Sequence, residues 1–277
     1  MENKIELMGI VNITDNSYVA SSRCLGADGK PDINKILTRV RQMISEGADI
    51  LDIGACSTGA GTEGVGEKEE WKRIYPTLKA IRAEFPNIKI SIDTYWASVV
   101  QNTYELIGDF IINDISAGAA DPLMLSTAGR LKLPYIAMHM RGTPKNMQTL
   151  TDYPEGIVKA VYNYFTEFSH KAEENNINNW ILDPGFGFAK TIEQNYELLN
   201  GIDKFKDFNR PILIGVSRKS MIYRLFNITP EDALPATQIL HYIALSKGTS
   251  ILRVHDIAET VRTLKIFSKL ETYKKEK

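Results

Sequence analysis

Eight short, apolar, β-branched runs, held apart by longer amphipathic stretches, constrain this chain more than any other feature. The runs are Leu7–Val11, Asp49–Ile53, Ile88–Ile92, Phe110–Asn113, Leu133–Met138, Trp180–Leu182, Ile212–Val216 and Ser250–Val254, with starts 22 to 47 residues apart. Between them, Ile33–Glu46, Glu67–Glu84, Ala97–Ile107, Gly156–Asn175 and Ala236–Lys247 have helical apolar spacing and the length of a crossover helix. A strand followed by a right-handed helical crossover rejoins its sheet in the same direction, so the pattern predicts parallel pairing. Eight such units can close on themselves. The expected fold is α/β, a single (β/α)8 barrel of the TIM type spanning residues 1–277 as one domain. An open, doubly wound sheet is the alternative.

The placement of polar residues favours the barrel. Asn12 follows the first run, Asp52 ends the second, Asp93 and Thr94 the third, Asn113 and Asp114 the fourth, and His139 the fifth. Asp183 ends the sixth, Ser217, Arg218 and Lys219 the seventh, and Arg253 and His255 the eighth. A barrel gathers these strand ends onto one rim, where such folds place their chemistry, whereas an open sheet spreads them along an edge. At 43% hydrophobic residues the 277-residue chain can bury a full core, which excludes a disordered or disulfide-stapled chain.

Thirty-three Lys and Arg against 34 Asp and Glu give a net charge of −1, so bulk attraction to nucleic acid or an anionic membrane is excluded and any anion site must be local. No apolar run approaches the roughly 20 residues that span a bilayer. The opening MENKIELMGIVNI carries charges where a signal peptide needs an apolar stretch, and Cys24 and Cys56 lack metal or redox spacing. A cytoplasmic location is expected.

Asp93 and Asp183, beside Asn113, can bind the polar edge of a flat heterocycle through paired N–H to oxygen bonds. Asp93 can equally cap the helix after it. For Asp183 the following Pro184, Gly185 and Gly187 make a turn instead, which favours a binding role. Arg218, Lys219, Arg253 and His255 follow adjacent strands seven and eight, a common phosphate position in barrels. His139 and His255 are the histidines placed to face the mouth. With no zinc signature present, Mg2+ bridging Asn12 and substrate phosphates suits this oxygen-rich rim. Gly59, Gly61 and Gly64 match G-x-G-x-x-G, which supports a nicotinamide-dependent oxidoreductase as a distant alternative, but four residues separate the pattern from its strand.

Taken in order, MGIVNIT (8–14), DIG (52–54), SIDTYWA (91–97), INDIS (112–116), MHMRGTP (138–144), ILDPGFGFAKT (181–191), GVSRKS (215–220) and RVHD (253–256) resemble the dihydropteroate synthase family of pterin-binding barrels. The resemblance implies condensation of 6-hydroxymethyl-7,8-dihydropterin diphosphate with p-aminobenzoate. It implies a pterin site of Asp93, Asn113, Asp183, Lys219 and Arg253, with Lys219, Arg253, Asp93 and Asp183 carrying the catalysis. It further implies a pyrophosphate site of Asn12, Arg253 and His255 with Mg2+ at Asn12, an acceptor pocket of Thr58, Phe188 and Ser220, and a homodimer. Two loops depart from the family pattern. Asn12-Ile-Thr14-Asp15-Asn16-Ser17-Tyr18 stands for N-[VI]-T-P-D-S-F, and Ser57-Thr58-Gly59-Ala60-Gly61 for S-T-R-P-G. A pterin-binding paralogue that makes no pteroate is therefore the second reading, and the paired loss of an acid at Asn16 and a base at Gly59 suggests that these two positions interact in typical members.

Overall fold

Along every strand, alternate side chains turn toward the surrounding helices or toward the axis, and that alternation divides the core in two. The computed structural model describes residues 4–14, 24–26, 29–56 and 64–275. Its elements run β1 (Glu6–Asn12), α1 (Ile33–Glu46), β2 (Ile50–Gly54), α2 (Glu67–Glu84), β3 (Lys89–Asp93), α3 (Ala97–Ile107), β4 (Ile111–Asp114) and α4 (Met124–Leu131). They continue with β5 (Tyr135–Met138), α5 (Ile157–Glu174), β6 (Trp180–Asp183), α6 (Ile192–Asn200), β7 (Leu213–Ile214), α7 (Ser220–Phe226), α8 (Leu234–Ser246), β8 (Ile251–Val254) and α9 (Ile257–Lys275).

The strands pair in parallel in the order β6-β5-β4-β3-β2-β1-β8-β7. The ring closes through a parallel bridge between Leu182 and Ile212, where the Leu182 N–H donates to the Pro211 carbonyl at 3.0 Å. The sheet is thus a (β/α)8 barrel, and the doubly wound alternative is excluded. Only Leu213 and Ile214 of the predicted seventh run form ladder strand. Pro211 brings no N–H to the ladder, and past Gly215 the chain turns at Arg218 with φ of 54°.

Outward-facing Leu7, Val11, Leu51, Ile53, Ile92 and Leu252 pack against helix residues such as Ile36, Val40, Ile74, Leu78 and Val100. Inward-facing Met8, Ile50, Ile136, Ile181, Leu213 and Ile251 form a separate cluster that plugs the barrel. Each such side chain contributes roughly 1.5–3 kcal/mol when fully buried. The plug also fixes how deep a polar ligand can enter from the C-terminal rim. Helices α4, α6 and α7 complete the expected alternation, but the sequence does not delimit them. At 8, 9 and 7 residues they are too short to establish a clear period.

Candidate active site

Directly above the plug, the same alternation points Asp52, Ser91, Asn113 and Arg253 inward. Asp52 is completely buried and accepts from the Ser91 hydroxyl at 2.6 Å, from the Asn113 amide at 3.2 Å and from Arg253 Nε at 2.6 Å. Arg253 reaches further with Nη2, 3.0 Å from Asp93 Oδ2 at the end of β3. Burial works against the Arg253 charge, yet Asp52 and Asp93 hold it above the usual arginine range. Burial likewise raises the Asp93 carboxyl, against the pull of Arg253. Asp52, Ser91, Asn113, Arg253 and Asp93 therefore form one network, with Asp52 as its base.

Asp93 does not cap α3. That helix begins after Trp96 without a side-chain cap bond, and its Ala97 N–H donates to Asp121. Register also separates two neighbours on β4. Asn113 faces the axis, while Asp114 faces outward, accepting from the Tyr135 hydroxyl at 2.6 Å and from the Ser116 and Gly118 backbone.

On the opposite side of the rim Asp183 ends β6, and its Oδ1 accepts from the Gly185 N–H at 2.8 Å. Gly185 has φ of 70°, and a Cβ there would collide with the His139 carbonyl, so only glycine closes this turn. Lys219 stands in front of the turn. Its ammonium donates to the Phe186 carbonyl and lies 4.7 Å from the centre of the Phe188 ring. Burial brings the Lys219 pKa down to about 8, although Asp183 supports the charge. Burial also raises the Asp183 carboxyl, with Lys219 opposing. Ser220 opens α7 immediately beyond.

Lys190 holds the turn from behind. Its buried Nζ contacts His139 Nδ1 at 2.9 Å, the Gly185 carbonyl at 2.9 Å and the Phe188 carbonyl at 3.0 Å. His139 is thus packed behind the rim and does not face the mouth as expected; burial, then Lys190, push its pKa well down. The anion pocket is also smaller than its sequence suggested. Arg218 turns away and makes a two-pronged pair with Asp256 at 2.8 Å. His255 stays, with Nδ1 3.0 Å from the Ser217 hydroxyl and a pKa lowered to about 3 by burial and then by Arg253. It offers a neutral imidazole rather than a cation.

Asn12 ends β1 opposite Gly54. Among the described residues no group of three or more His, Cys, Asp or Glu could hold a metal, so a cation here would be held by amide and ligand oxygens, a donor set that suits Mg2+. Thr58, like Asn16, Gly59 and Ala60, lies outside the described residues. Asp52, Ser91 and Lys190 were not assigned as site residues from the sequence. Asp52 was detectable, because it shares the inward register of Ile50 on β2. Glu70 of α2 was missed as well. It is wholly buried, and burial raises its pKa to about 8 against the opposing pull of the Thr94 side chain and of Arg73.

A parallel barrel whose rim carries buried carboxylates, a buried amide and two half-buried cations defines the class of barrel enzymes that work on small polar substrates at the C-terminal strand ends. The model of the pterin binding enzyme family matches residues 8–255. The chain belongs to that family. It is 37% identical over 265 residues to the dihydropteroate synthase of Escherichia coli K12, covering 94% of this chain and 89% of the relative. The crystal structure of Yersinia pestis dihydropteroate synthase with a sulfonamide drug complex superposes with a TM-score of 0.90 at 33% identity, covering 97% and 95% of the two chains. That of the Clostridium difficile dihydropteroate synthase in the presence of pteroic acid gives 0.86 at 30% identity, covering 96% and 97%. Among the described residues no helix is long and apolar enough to cross a membrane.

Proposed function

We propose that this chain is a dihydropteroate synthase, a transferase that condenses 6-hydroxymethyl-7,8-dihydropterin diphosphate with p-aminobenzoate to give 7,8-dihydropteroate and pyrophosphate. The observation that carries the reading is the rim network in which Arg253 is fixed between Asp52 and Asp93, with Asn113 beside it and Asp183 and Lys219 opposite. In this reading the pterin's amino-pyrimidine N–H groups donate to Asp183 and Asp93, Asn113 completes that edge, and Lys219 donates to the ring carbonyl. Arg253 flanks the ring and, with Asn12 and neutral His255, receives the diphosphate. Ser220, Phe188 and Thr58 border the acceptor.

The arylamine nitrogen forms a bond to the pterin methylene carbon as the carbon–oxygen bond breaks. The electron pair leaves with pyrophosphate, and the amine loses one proton. An electron-rich pterin stabilises the developing cation, so the protein needs to orient the amine and stabilise the leaving charge rather than supply a nucleophile. Mg2+ held by Asn12 and phosphate oxygens would neutralise part of that charge.

Pyrophosphate release that requires p-aminobenzoate, together with pteroate formed in equal amount, is the expected result. Pterin diphosphate binding without either product would instead favour the paralogue that makes no pteroate. A second copy of the chain is part of the proposal. Leu225, Phe226 and Ile239, on α7 and α8, are 54%, 56% and 62% exposed and suit burial in a homodimer. Light scattering of Phe226→Glu against the native chain checks this, with loss of dimer expected. The cytoplasm is taken as the compartment along with the resemblance, and fractionation of cells expressing the chain tests it.

A further inference from the structure

The turn from Asp183 to Lys190, which joins β6 to α6, meets polar partners along its length. The Gly185 N–H donates to Asp183 Oδ1 at 2.8 Å, and the Gly187 N–H donates to Asn195 Oδ1 at 2.7 Å. The Phe188 N–H donates to the Gly185 carbonyl at 3.1 Å. Lys190 closes the turn, with Nζ donating to the Gly185 and Phe188 carbonyls at 2.9 and 3.0 Å. Asn195 is itself anchored, because its Nδ2 donates to the Thr191 carbonyl at 2.6 Å, at the N-cap of α6. Both side chains are buried, and neither enters the proposed reaction.

We propose that Lys190, with Asn195 as a second pin, is a positioning residue for pterin recognition, fixing the turn in the shape that orients Asp183 and presents the Phe186 carbonyl to Lys219. The inference rests on the proposed synthase reading. Its physical basis is the freedom of two glycines. Gly185 and Gly187 have φ of 70° and 81°. A Cβ at the first would strike the His139 carbonyl, and one at the second would press on Lys219 Cδ at 3.3 Å. The close approaches require glycine, and glycine brings backbone freedom that must be lost when a ligand binds. Lys190 holds the first of them by its carbonyl, and Asn195 holds the second by its N–H. Gly185 is also the residue whose N–H fixes one oxygen of Asp183, so the pin acts on the carboxylate through a single residue.

The partners of Lys190 are satisfied in either protonation state. An ammonium donates to both carbonyls and to His139 Nδ1, whereas an amine donates to both carbonyls and accepts from the Nδ1–H. Burial draws the Lys190 pKa well below its usual value while Asp183 opposes, and the pin holds on both sides of that titration.

Lys190→Met keeps the stem and removes the donor. Because Asp183 holds a part of the pterin that does not react, the KM for pterin diphosphate should rise about 30-fold, the size of one charge-assisted bond, with kcat within about threefold of native. A fold that was merely loosened would show a lower kcat from a smaller active fraction with KM unchanged, and that result overturns the proposal. In Asp183→Asn the oriented carboxylate is already gone, so adding Lys190→Met should raise KM by less than about threefold more. An equal rise in both backgrounds overturns the link through Asp183. Should Lys190→Met fail to fold, Asn195→Ala carries the same cycle, with a rise of about fivefold that disappears beside Asp183→Asn; no rise there overturns the proposal.

Hydrogen exchange separates this failure from failure of the reaction itself. The amides of residues 185–189 should exchange roughly tenfold faster or more in either variant, and unchanged exchange overturns the pin. If the native chain makes no pteroate, the synthase reading fails, and the same cycle is read as pterin diphosphate affinity by calorimetry. If it binds no pterin diphosphate either, the positioning role fails with that reading, while the exchange rates still decide whether Lys190 and Asn195 pin the turn.

Discussion

At the N-terminal end of the barrel Lys4 reaches Asp49 and Lys89 reaches Glu6, and the two lysine side chains are 76% and 60% exposed. At the C-terminal rim Arg253 reaches Asp52 and Asp93, whose side chains are 0% and 11% exposed. The isoleucine and methionine plug lies between the two ends. Both use basic and acidic side chains drawn from different strand ends, but the lysines of the first set lie in water, whereas the carboxylates of the second are shielded from it. Exposed pairs contribute about 0–1 kcal/mol, whereas removing one member of a buried pair costs about 3–5 kcal/mol, because the remaining charge has lost its partner. A cavity of about 820 Å³ opens at the N-terminal end, between Lys4, Glu6, Lys89, Ile181 and Ile251. The presence of a cavity therefore does not by itself locate the chemistry; buried, mutually oriented charge does.

Asp52→Ala should give the largest effect and tests whether the buried network organises the rim. It leaves Arg253, Asn113 and Ser91 without their common acceptor, so stability should fall by about 3–5 kcal/mol and kcat/KM by roughly 100-fold or more. Denaturant unfolding and steady-state kinetics measure the two. A folded variant with kcat/KM within threefold of native would mean that Arg253 needs only Asp93.

Glu70 sharpens the comparison, because here burial outweighs what Thr94 and Arg73 offer an acid. Its pKa is raised from 4.5 to about 8, so the folded state keeps the proton that the unfolded state releases. A carboxyl raised in this way contributes fully below pH 4.5, and its contribution is lost as pH rises toward 8. Glu70→Gln removes that loss. It should match the native chain near pH 5 and exceed it by on the order of 2–4 kcal/mol near pH 9, measured by urea unfolding across pH. A difference that does not change with pH would show that Glu70 is not kept neutral by the fold.

Lys219 should show a smaller effect, confined to activity. With its pKa near 8, the free enzyme loses the ammonium above that pH, and kcat/KM for pterin diphosphate should fall by about tenfold per pH unit once well past it. Lys219→Arg, charged throughout, should be slower overall but flat between roughly pH 7 and 9. The same fall in the arginine variant would assign the titration to another group.

The barrel was legible because its strands alternate with crossover helices, and the rim because polar residues end nearly every run. Less visible was which polar residues point inward. Adjacent Asn113 and Asp114 look equivalent in the sequence, and only the register of β4 against β3 and β5 sends one to the axis and the other to Tyr135. His139 and Arg218 follow strands as active-site residues do, yet Lys190 and Asp256, distant in sequence, draw them behind the rim. Asp52 was seen as a strand end and not as a site residue, because its role depends on partners from three other strands. The atypical positions Asn16 and Gly59 lie outside the described residues, so the suggested pairing of those two loops stands as it did from the sequence.

The smallest expected effect lies at the other end of the barrel. Glu6→Gln breaks the exposed pair with Lys89 and leaves the plug intact. Because water can solvate both groups, stability should change by less than about 0.5 kcal/mol, and the change should vanish in roughly 0.5 M salt. kcat/KM should stay within twofold of native, since the isoleucine layer separates Glu6 from Asp52. Glu6 is also the residue of β1 paired in register with Ile251, two residues before Arg253 on β8. If Glu6→Gln instead lowered kcat/KM tenfold, a shift in the β1–β8 register would have to be reaching Arg253 through the plug, and the two ends of the barrel would be mechanically coupled rather than insulated. Repeating the measurement with Lys89→Met distinguishes the cases: loss of a screened pair is equally mild from either side, whereas a register effect is specific to the residue on β1.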